Sequence, residues 1–205
     1  MRFFLDRKEL IQYAKKFISE RINSLEKDVR HCLFQCGPDA PAPFPALLYC
    51  FATIDLLGAL YFGNASKDAP TSEQSKKYME RFMGYTAEQA KLLQDLFRHK
   101  LVHLAQPKPI LIDGSRHISW VYHHKNREKY LQLEALPKKE KILLLQNLSV
   151  ECDHIFHVSI FHLVEDIKRS IRKPDGYFAL LENSPDLQDK FEKAISQIYD
   201  YKVRL

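Results

Sequence analysis

The stretch that decides the fold is Ala87–Pro109, AEQAKLLQDLFRHKLVHLAQPKP. Its leucines recur at the spacing of one helix face, so the first part predicts an amphipathic helix whose leucines point inward. The Pro-Lys-Pro sequence predicts that this helix ends, because proline lacks an amide hydrogen and the residue before proline avoids helical angles. Between these signals stand Arg98, His99 and His103, so a helix, a stop signal and titratable side chains share one stretch.

Helical periodicity continues on both sides of this stretch. The sequence is rich in Leu, Lys, Glu and Gln and contains only six glycines, which favours a mainly α protein. Further predicted helices cover Phe4–Phe34, Ser72–Phe82, Asp153–Arg172 and Pro185–Tyr199.

The segment Ala46–Phe62, ALLYCFATIDLLGALYF, is almost wholly apolar and has two interpretations. Its length is at the short end of the range for a membrane span, and Asp55 near its middle would cost roughly 2.5–3.5 kcal/mol on insertion scales. A helix buried on all sides within a bundle explains the same composition without that cost. We therefore expect a buried helix and no membrane partner.

A different pattern follows Pro109. Ile110–Ile112 and His117–His123 flank an Asp-Gly turn signal and predict a hairpin. Tyr130–Glu134 alternates like a third strand, and Ile142–Val150 fits a strand better than a helix start. The sequence thus predicts a single domain over residues 1–205, with a small antiparallel β-sheet inserted at about 109–150.

Net charge, cysteine content and the absence of several sequence motifs narrow the classes of function that we expect. The excess of 31 Lys and Arg over 26 Asp and Glu is mild and is compatible with a polyanionic partner such as RNA. The four cysteines form no CxxC pair and no signal peptide is recognisable, so we expect a cytoplasmic protein with reduced thiols. Phosphate-cradling glycine loops, GxSxG, HExxH and dinucleotide fingerprints are absent from the sequence, which disfavours NTPase, hydrolase and oxidoreductase chemistry.

Arg98 and His103 fit the needs of metal-free RNA cleavage. The planar guanidinium group binds phosphate, and imidazole gives or takes a proton near neutral pH. The two residues are five positions apart, hence about 140° apart around an ideal helix, so they converge only if the helix unwinds near His103 or a second chain completes the site. The alternative is that Arg98 and both histidines cap the helix C-terminus or pack in a dimer.

The sequence FRHKLVH at Phe97–His103 resembles the R-x4-6-H signature of the HEPN superfamily, in the form with a polar residue after the arginine. The resemblance covers roughly Pro43–Pro109 and implies a HEPN-like helical bundle that forms a homodimer with its motifs facing one another. It also implies a metal-independent RNase, often a toxin with a cognate antitoxin or regulatory protein, or a component of anti-phage defence. By position, Arg98 would hold the phosphate, His103 would be the acid/base and His99 the polar motif residue.

Other side chains are candidates for supporting roles. Asp55 either orients Arg98 or a motif histidine, or accepts a hydrogen bond from a neighbouring backbone or hydroxyl group. The sheet places aromatic residues beside cations, a composition that stacks bases and binds phosphates, although such aromatics also serve as core. The residues that we expect to contact RNA are Lys100, Lys108, Tyr122, Lys125 and Arg127.

Two groups of residues contain side chains that can bind a metal ion: Cys152, Asp153, His154, His157 and His162 in one, and His31, Cys32 and Cys36 in the other. Neither has zinc-finger spacing, and such residues on helices more often pack or face solvent. We therefore expect no metal and no cofactor. The alternative function is a non-catalytic helical module that binds a partner protein or a nucleotide.

Overall fold

The structure, a computed structural model, describes residues 6–34, 42–99, 101, 107–123, 129–145 and 148–199. It is mainly helical with one small four-stranded mixed sheet. The helices are α1 (Arg7–Phe34), α2 (Pro43–Phe62), α3 (Thr71–Tyr78), α4 (Ala87–Leu93), α5 (Ile160–Arg172), α6 (Tyr177–Asn183) and α7 (Pro185–Tyr199). The π-helical turns Met79–Met83 and Gln94–Arg98 extend α3 and α4. The strands are β1 (Leu111–Asp113), β2 (Arg116–His123), β3 (Leu133–Leu145) and β4 (Leu148–Ser159).

Contacts divide the chain into two compact units. The first unit comprises Met1–Asp28, Cys50–Thr86 and Asp166–Leu205, and the second comprises Val29–Tyr49 and Ala87–Glu165. All four strands and the helix that carries Arg98 belong to the second unit. That the whole chain acts as one domain stays a prediction.

Aromatic side chains form the core of the first unit. The Phe82 ring lies 4.9 Å from that of Tyr78 and 6.0 Å from that of Tyr177, measured between centroids, and all three residues are almost completely buried. The Tyr78 hydroxyl shares a 3.0 Å hydrogen bond with Ser170, which satisfies a polar group that burial would otherwise destabilise. Gly84 ends the neighbouring π turn at a positive φ of 75°, an angle that suits glycine.

α2 is the predicted apolar helix, but it is not buried on all sides. Cys50, Phe51 and Ile54 are inaccessible to solvent, whereas Leu48 and Phe62 are exposed. The helix is long and apolar enough to cross a membrane, with 56% of its most apolar window buried inside the protein. The prediction of complete burial is therefore wrong for one face of α2. Neighbouring elements cover only part of the helix circumference, and the remaining side chains face solvent.

The sheet is mixed, so the prediction of an antiparallel sheet is wrong for one pair of strands. Its order is β1-β2-β4-β3, with β1–β2 and β3–β4 antiparallel and β2–β4 parallel. The predicted hairpin around Gly114 is confirmed by β1 and β2. Alternation within a strand reports which residues share a face but not which strand lies beside it, and β4 lies between β2 and β3.

Three boundaries differ from the predictions. Residues 153–159 belong to β4 rather than to a helix, and only Ile160–Arg172 is helical. Residues 130–132 form a turn, and β3 begins at Leu133 and runs to Leu145. Ile155, Val158 and Phe161 stand three apart and mimic a helix face, but pairing with two neighbouring strands supplies the backbone of β4 with hydrogen bonds that override that pattern.

Candidate functional site

The helix that carries the motif is anchored by its apolar face. Leu93, Leu96 and Phe97 are completely buried, while Arg98 is half-buried and His99 is exposed. The His99 amide donates to the Gln94 carbonyl, which is the wider hydrogen bond of a π turn. Such turns occur often at functional sites, although Met79–Met83 shows that this chain also uses one elsewhere.

Two of the predicted site residues on this helix lie outside the described residues. They are Lys100 and His103. Lys125 and Arg127, expected to contact RNA beyond the end of β2, also lie outside them. Arg98, His99, Lys108 and Tyr122 are described and all belong to the second unit.

The chain turns back sharply after the motif helix. The Lys108 amide donates to the Leu96 carbonyl with 2.7 Å between nitrogen and oxygen. Had the helix continued, 12 residues at about 1.5 Å of rise each would separate these groups by about 18 Å. The predicted stop before Pro109 is therefore confirmed, and the exit returns to within two residues of Arg98.

The sheet holds this exit in place. The Trp120 indole nitrogen donates to the Lys108 carbonyl at 2.9 Å, and the Ser119 hydroxyl donates to the Pro109 carbonyl at 3.0 Å. The Trp120 ring also lies 5.2 Å from the Phe97 ring, edge to face. Phe97 precedes Arg98, so one aromatic side chain of β2 supports both ends of the motif segment, by which we mean residues 98–109.

Two of the residues predicted to contact RNA, Lys108 and Tyr122, lie within the described residues and occupy different elements. Lys108 is half-buried in the exit that Trp120 holds. Tyr122 is half-buried on β2, two residues beyond Trp120 and hence on the same face of the strand. Tyr122 pairs with Val158 of β4 and lies beyond the part of β2 that pairs with β1.

Asp55 accepts a hydrogen bond from a neighbouring hydroxyl group. The Ser75 Oγ lies 2.5 Å from Asp55 Oδ1 and 2.8 Å from the Thr71 carbonyl. This contact agrees with one of the two interpretations offered for the carboxylate. A role in orienting Arg98 stays a prediction, since Asp55 belongs to the first unit and Arg98 to the second.

Of the candidate metal ligands, Cys152, Asp153, His154 and His157 lie on β4 rather than on a helix. His162 lies on α5, and His31 and Cys32 lie on α1. Asp153 bonds to its neighbour His154 at 2.5 Å and to the His117 amide at 2.8 Å. The His154 hydrogen bond, followed by that of His117, lowers the pKa of Asp153. Within the described part of the chain, no three His, Cys, Asp or Glu residues are grouped to hold a metal ion. Cys36 lies outside that part.

Three residues that the sequence did not connect meet on one face of the sheet. His123 Nε2 lies 2.9 Å from His157 Nδ1, and His157 Nε2 lies 2.9 Å from Glu134 Oε2. We call His123, His157 and Glu134 the histidine array. Burial lowers the pKa of His157 while the Glu134 hydrogen bond opposes that shift, and Lys129 followed by His157 lowers the pKa of Glu134.

The array was missed because 34 residues separate its histidines and because His157 was assigned to a helix. One signal could have found it, since the buried Cys152, Phe156 and Val158 stand an even number of residues apart, as in a strand. Comparison of the chain with protein-family models, curated proteins and solved structures finds no match.

Proposed function

We propose that this protein is a metal-independent endoribonuclease of the HEPN type, with Arg98 and His103 as its catalytic residues. The observation that carries the proposal is the 2.7 Å hydrogen bond between the Lys108 amide and the Leu96 carbonyl. A straight helix would keep Arg98 and His103 about 140° apart. Because the chain has turned back by Lys108, the segment between Leu96 and Lys108, whose sequence includes His103, is not one straight helix.

The proposed reaction needs one cation and one proton acceptor. Arg98 binds the phosphate oxygens through its guanidinium fork and stabilises the charge that develops on them. His103 removes the 2′-hydroxyl proton, the 2′-oxygen forms a bond to phosphorus, and the bond from phosphorus to the 5′-oxygen breaks. The 5′-oxygen takes up one proton, so the products carry a 2′,3′-cyclic phosphate and a 5′-hydroxyl.

Placement of the other residues supports binding of RNA beside this centre. Lys108 lies in the exit that Trp120 fixes, and Tyr122 continues the same face of β2. Lys100, Lys125 and Arg127 would add positive charge, and His99 would serve as the polar motif residue. We propose a cytoplasmic homodimer acting as a toxin with a cognate antitoxin or regulatory protein, or in defence against phage.

The test is cleavage of a mixed RNA pool in EDTA by wild type, Arg98→Ala and His103→Ala. The matched control is Arg172→Ala, which removes an exposed arginine at the end of α5. We expect the wild type and the control to cleave, leaving 2′,3′-cyclic phosphate ends, and both motif variants to lose about 10²-fold or more. Circular dichroism and size-exclusion chromatography confirm that each variant folds and associates as the wild type does.

Two results would contradict the proposal. Equal cleavage by all four proteins means that the activity belongs to a contaminant or another site. Absence of cleavage in all four folded proteins, on structured and unstructured RNA alike, favours the non-catalytic binding module instead.

A further inference from the structure

The first unit contains a surface groove between α1 and the end of α7. Its volume is about 480 Å³, which lies within the range of about 300–1,000 Å³ that is typical of small-molecule sites. All the lining residues belong to the first unit, so the groove is formed by that unit alone. The lining residues are Tyr13, Lys16, Phe17, Glu20, Arg21, Ser24 and Tyr199.

Helical spacing explains why the residues of α1 line one groove. Each of them follows or precedes another by three or four positions, and side chains at that spacing lie on the same face of a helix. Tyr13 and Phe17 stand toward the start of this face, and Glu20, Arg21 and Ser24 stand further along it. A ligand that lies along the groove therefore meets aromatic rings first and hydrogen-bonding groups beyond them.

Aromatic rings form one end of the groove. The rings of Tyr13 and Phe17 are nearly parallel, with 6.0 Å between centroids and 16° between planes. The Tyr13 hydroxyl donates to the Tyr199 hydroxyl at 3.4 Å, which links α1 to the end of α7. Phe17 is buried, whereas Tyr199 is 46% exposed. Tyr199 therefore offers an accessible ring on which a planar ligand stacks without displacing the core.

Lys16 and Arg21 supply positive charge along the groove. Two other cations of the same helix, Arg7 and Lys15, form ion pairs with carboxylates of α7 and α6. Within the part of the chain that the structure describes, neither Lys16 nor Arg21 forms an ion pair, and both are exposed. The Arg21 guanidinium lies 5.4 Å from the centroid of the Phe17 ring, a cation–π contact that holds it beside the groove. Both side chains are therefore placed to bind an anion.

Glu20 brings the opposite charge into the same groove. Its carboxylate is exposed, and it forms no ion pair with any described residue, although Lys16 stands four positions before it. A carboxylate only accepts hydrogen bonds, so Glu20 favours a ligand that carries N–H donors. Lys16 and Arg21 against Glu20 leave one net positive charge. The groove thus suits an anion that also carries a flat ring and N–H donors.

We propose that this groove binds a nucleotide. The base stacks on Tyr199 and donates hydrogen bonds to Glu20, because base stacking on an exposed aromatic ring is favourable for every base. The phosphate accepts hydrogen bonds from Arg21, whose planar fork matches its oxygens, and from Lys16.

The carboxylate of Glu20 makes guanine the preferred base. Guanine has a ring N–H and an amino group side by side, so two parallel donors match the two oxygens of one carboxylate. Uracil offers a single N–H between two carbonyl oxygens, which a carboxylate repels. The inference goes beyond the proposed function, since the groove belongs to the first unit and Arg98 to the second.

The test is isothermal titration calorimetry of the full chain in EDTA with guanosine 5′-monophosphate (GMP), uridine 5′-monophosphate (UMP) and inorganic phosphate. We expect GMP to bind about tenfold more tightly than UMP, and phosphate more weakly than either. A mononucleotide contains no phosphodiester linkage to cleave, so the measurement is independent of the nuclease assay. Failure of one proposal therefore leaves the other standing.

Three variants test the assigned roles. Tyr199→Ala removes the stacking ring and should weaken GMP binding by about tenfold, whereas Tyr199→Phe keeps the ring and should bind as the wild type does. Arg21→Ala should weaken binding of both nucleotides by about tenfold. Its matched control is Arg172→Ala, an exposed arginine elsewhere in the first unit, which should change neither affinity. Glu20→Gln should reduce the preference for GMP over UMP, because an amide presents a donor beside its acceptor.

Three results would overturn the inference. The first is absence of GMP binding to the folded wild type at millimolar concentration. The second is unchanged GMP affinity in both Tyr199→Ala and Arg21→Ala, which would place the bound nucleotide elsewhere. The third is binding of tryptophan as tight as that of GMP, since tryptophan offers a ring, an ammonium group and a carboxylate but no phosphate.

A guanine nucleotide reaches the groove either free or as part of an RNA chain. A 2′-O-methyl trinucleotide with a central guanine lacks the attacking hydroxyl and separates these sources in the same titration. Tighter binding of the trinucleotide than of GMP supports the proposal with RNA as the source, and weaker binding supports it with the free nucleotide as the source.

Discussion

The motif segment and the histidine array bring together the same kinds of side chain by opposite means. Arg98, His99 and His103 are neighbours in sequence, and the helix that carries Arg98 and His99 is followed by a turned-back exit held by Trp120. His123, His157 and Glu134 come from three strands and meet only because β4 lies between the other two. A group of functional side chains that are close in sequence can be recognised from their spacing. A group that strand order brings together can be recognised only once the fold is known.

The first prediction tests whether the motif depends on Asp55, a residue far from it in the sequence. Asp55→Asn keeps an oxygen that accepts from Ser75 but removes the negative charge. If Asp55 orients Arg98, RNA cleavage should fall by about 10²-fold, the loss that a small misplacement of a catalytic group produces. Urea unfolding should change little. Cleavage rate and unfolding free energy are measured on the same preparations.

Ser75→Ala is the control for Asp55→Asn, because it removes the hydroxyl donor and keeps the carboxylate. It should reduce stability more than cleavage. Similar losses of both quantities in Asp55→Asn would show that Asp55 serves only the folding of the first unit.

Sequence reasoning went furthest where the signal is local. The helices Arg7–Phe34, Pro43–Phe62 and Pro185–Tyr199 agree with prediction to within a few residues, because amphipathic or apolar periodicity over many turns is hard to mistake. The β1–β2 hairpin was recognised from its Asp-Gly turn. The short helix Tyr177–Asn183 was missed, since seven residues carry too little periodicity.

The predictions were wrong where the structure of a segment depends on which strands or helices lie beside it. His157 was assigned to a helix because Ile155, Val158 and Phe161 repeat every three residues, and nothing local shows that β2 and β3 flank this segment. The exposed face of α2 was missed for a similar reason, since composition does not report which side a neighbour covers. For the candidate site, the motif residues follow from the sequence and stay a prediction, whereas the array emerges only from the fold.

A second prediction concerns the contact by which Trp120 holds the exit of the motif segment against the sheet. Trp120→Phe keeps an aromatic ring beside Phe97 but removes the indole donor, which leaves the Lys108 carbonyl without this hydrogen bond. We expect the free energy of unfolding to fall by about 1–2 kcal/mol. Urea denaturation measures the change, with Ser119→Ala, which removes the donor to Pro109, as a milder companion.

If the exit also shapes the catalytic centre, Trp120→Phe should lower cleavage more than Ser119→Ala does. Unchanged stability and unchanged cleavage in Trp120→Phe would mean that the exit is held by other contacts. The local motif would then be independent of the sheet.

The smallest expected effect concerns the array alone and its response to acid. Burial holds the pKa of His157 below the ordinary value of about 6.5, so the unfolded chain binds a proton there before the folded chain does. Stability from this residue is therefore complete above about pH 6.5 and falls as pH drops below it, by no more than about 1.4 kcal/mol per pH unit. Lys129 and then His157 lower the pKa of Glu134, so its contribution is lost only below about pH 4.5, in a separate window.

Urea unfolding of wild type and His157→Gln between pH 7.5 and 5.5 measures this dependence. The wild-type free energy of unfolding should fall with acid, and the slope should be smaller in His157→Gln. His117→Gln, which lies on the same sheet, should keep the wild-type slope because that ring is less buried. An unchanged slope in His157→Gln would mean that burial does not control the protonation of His157.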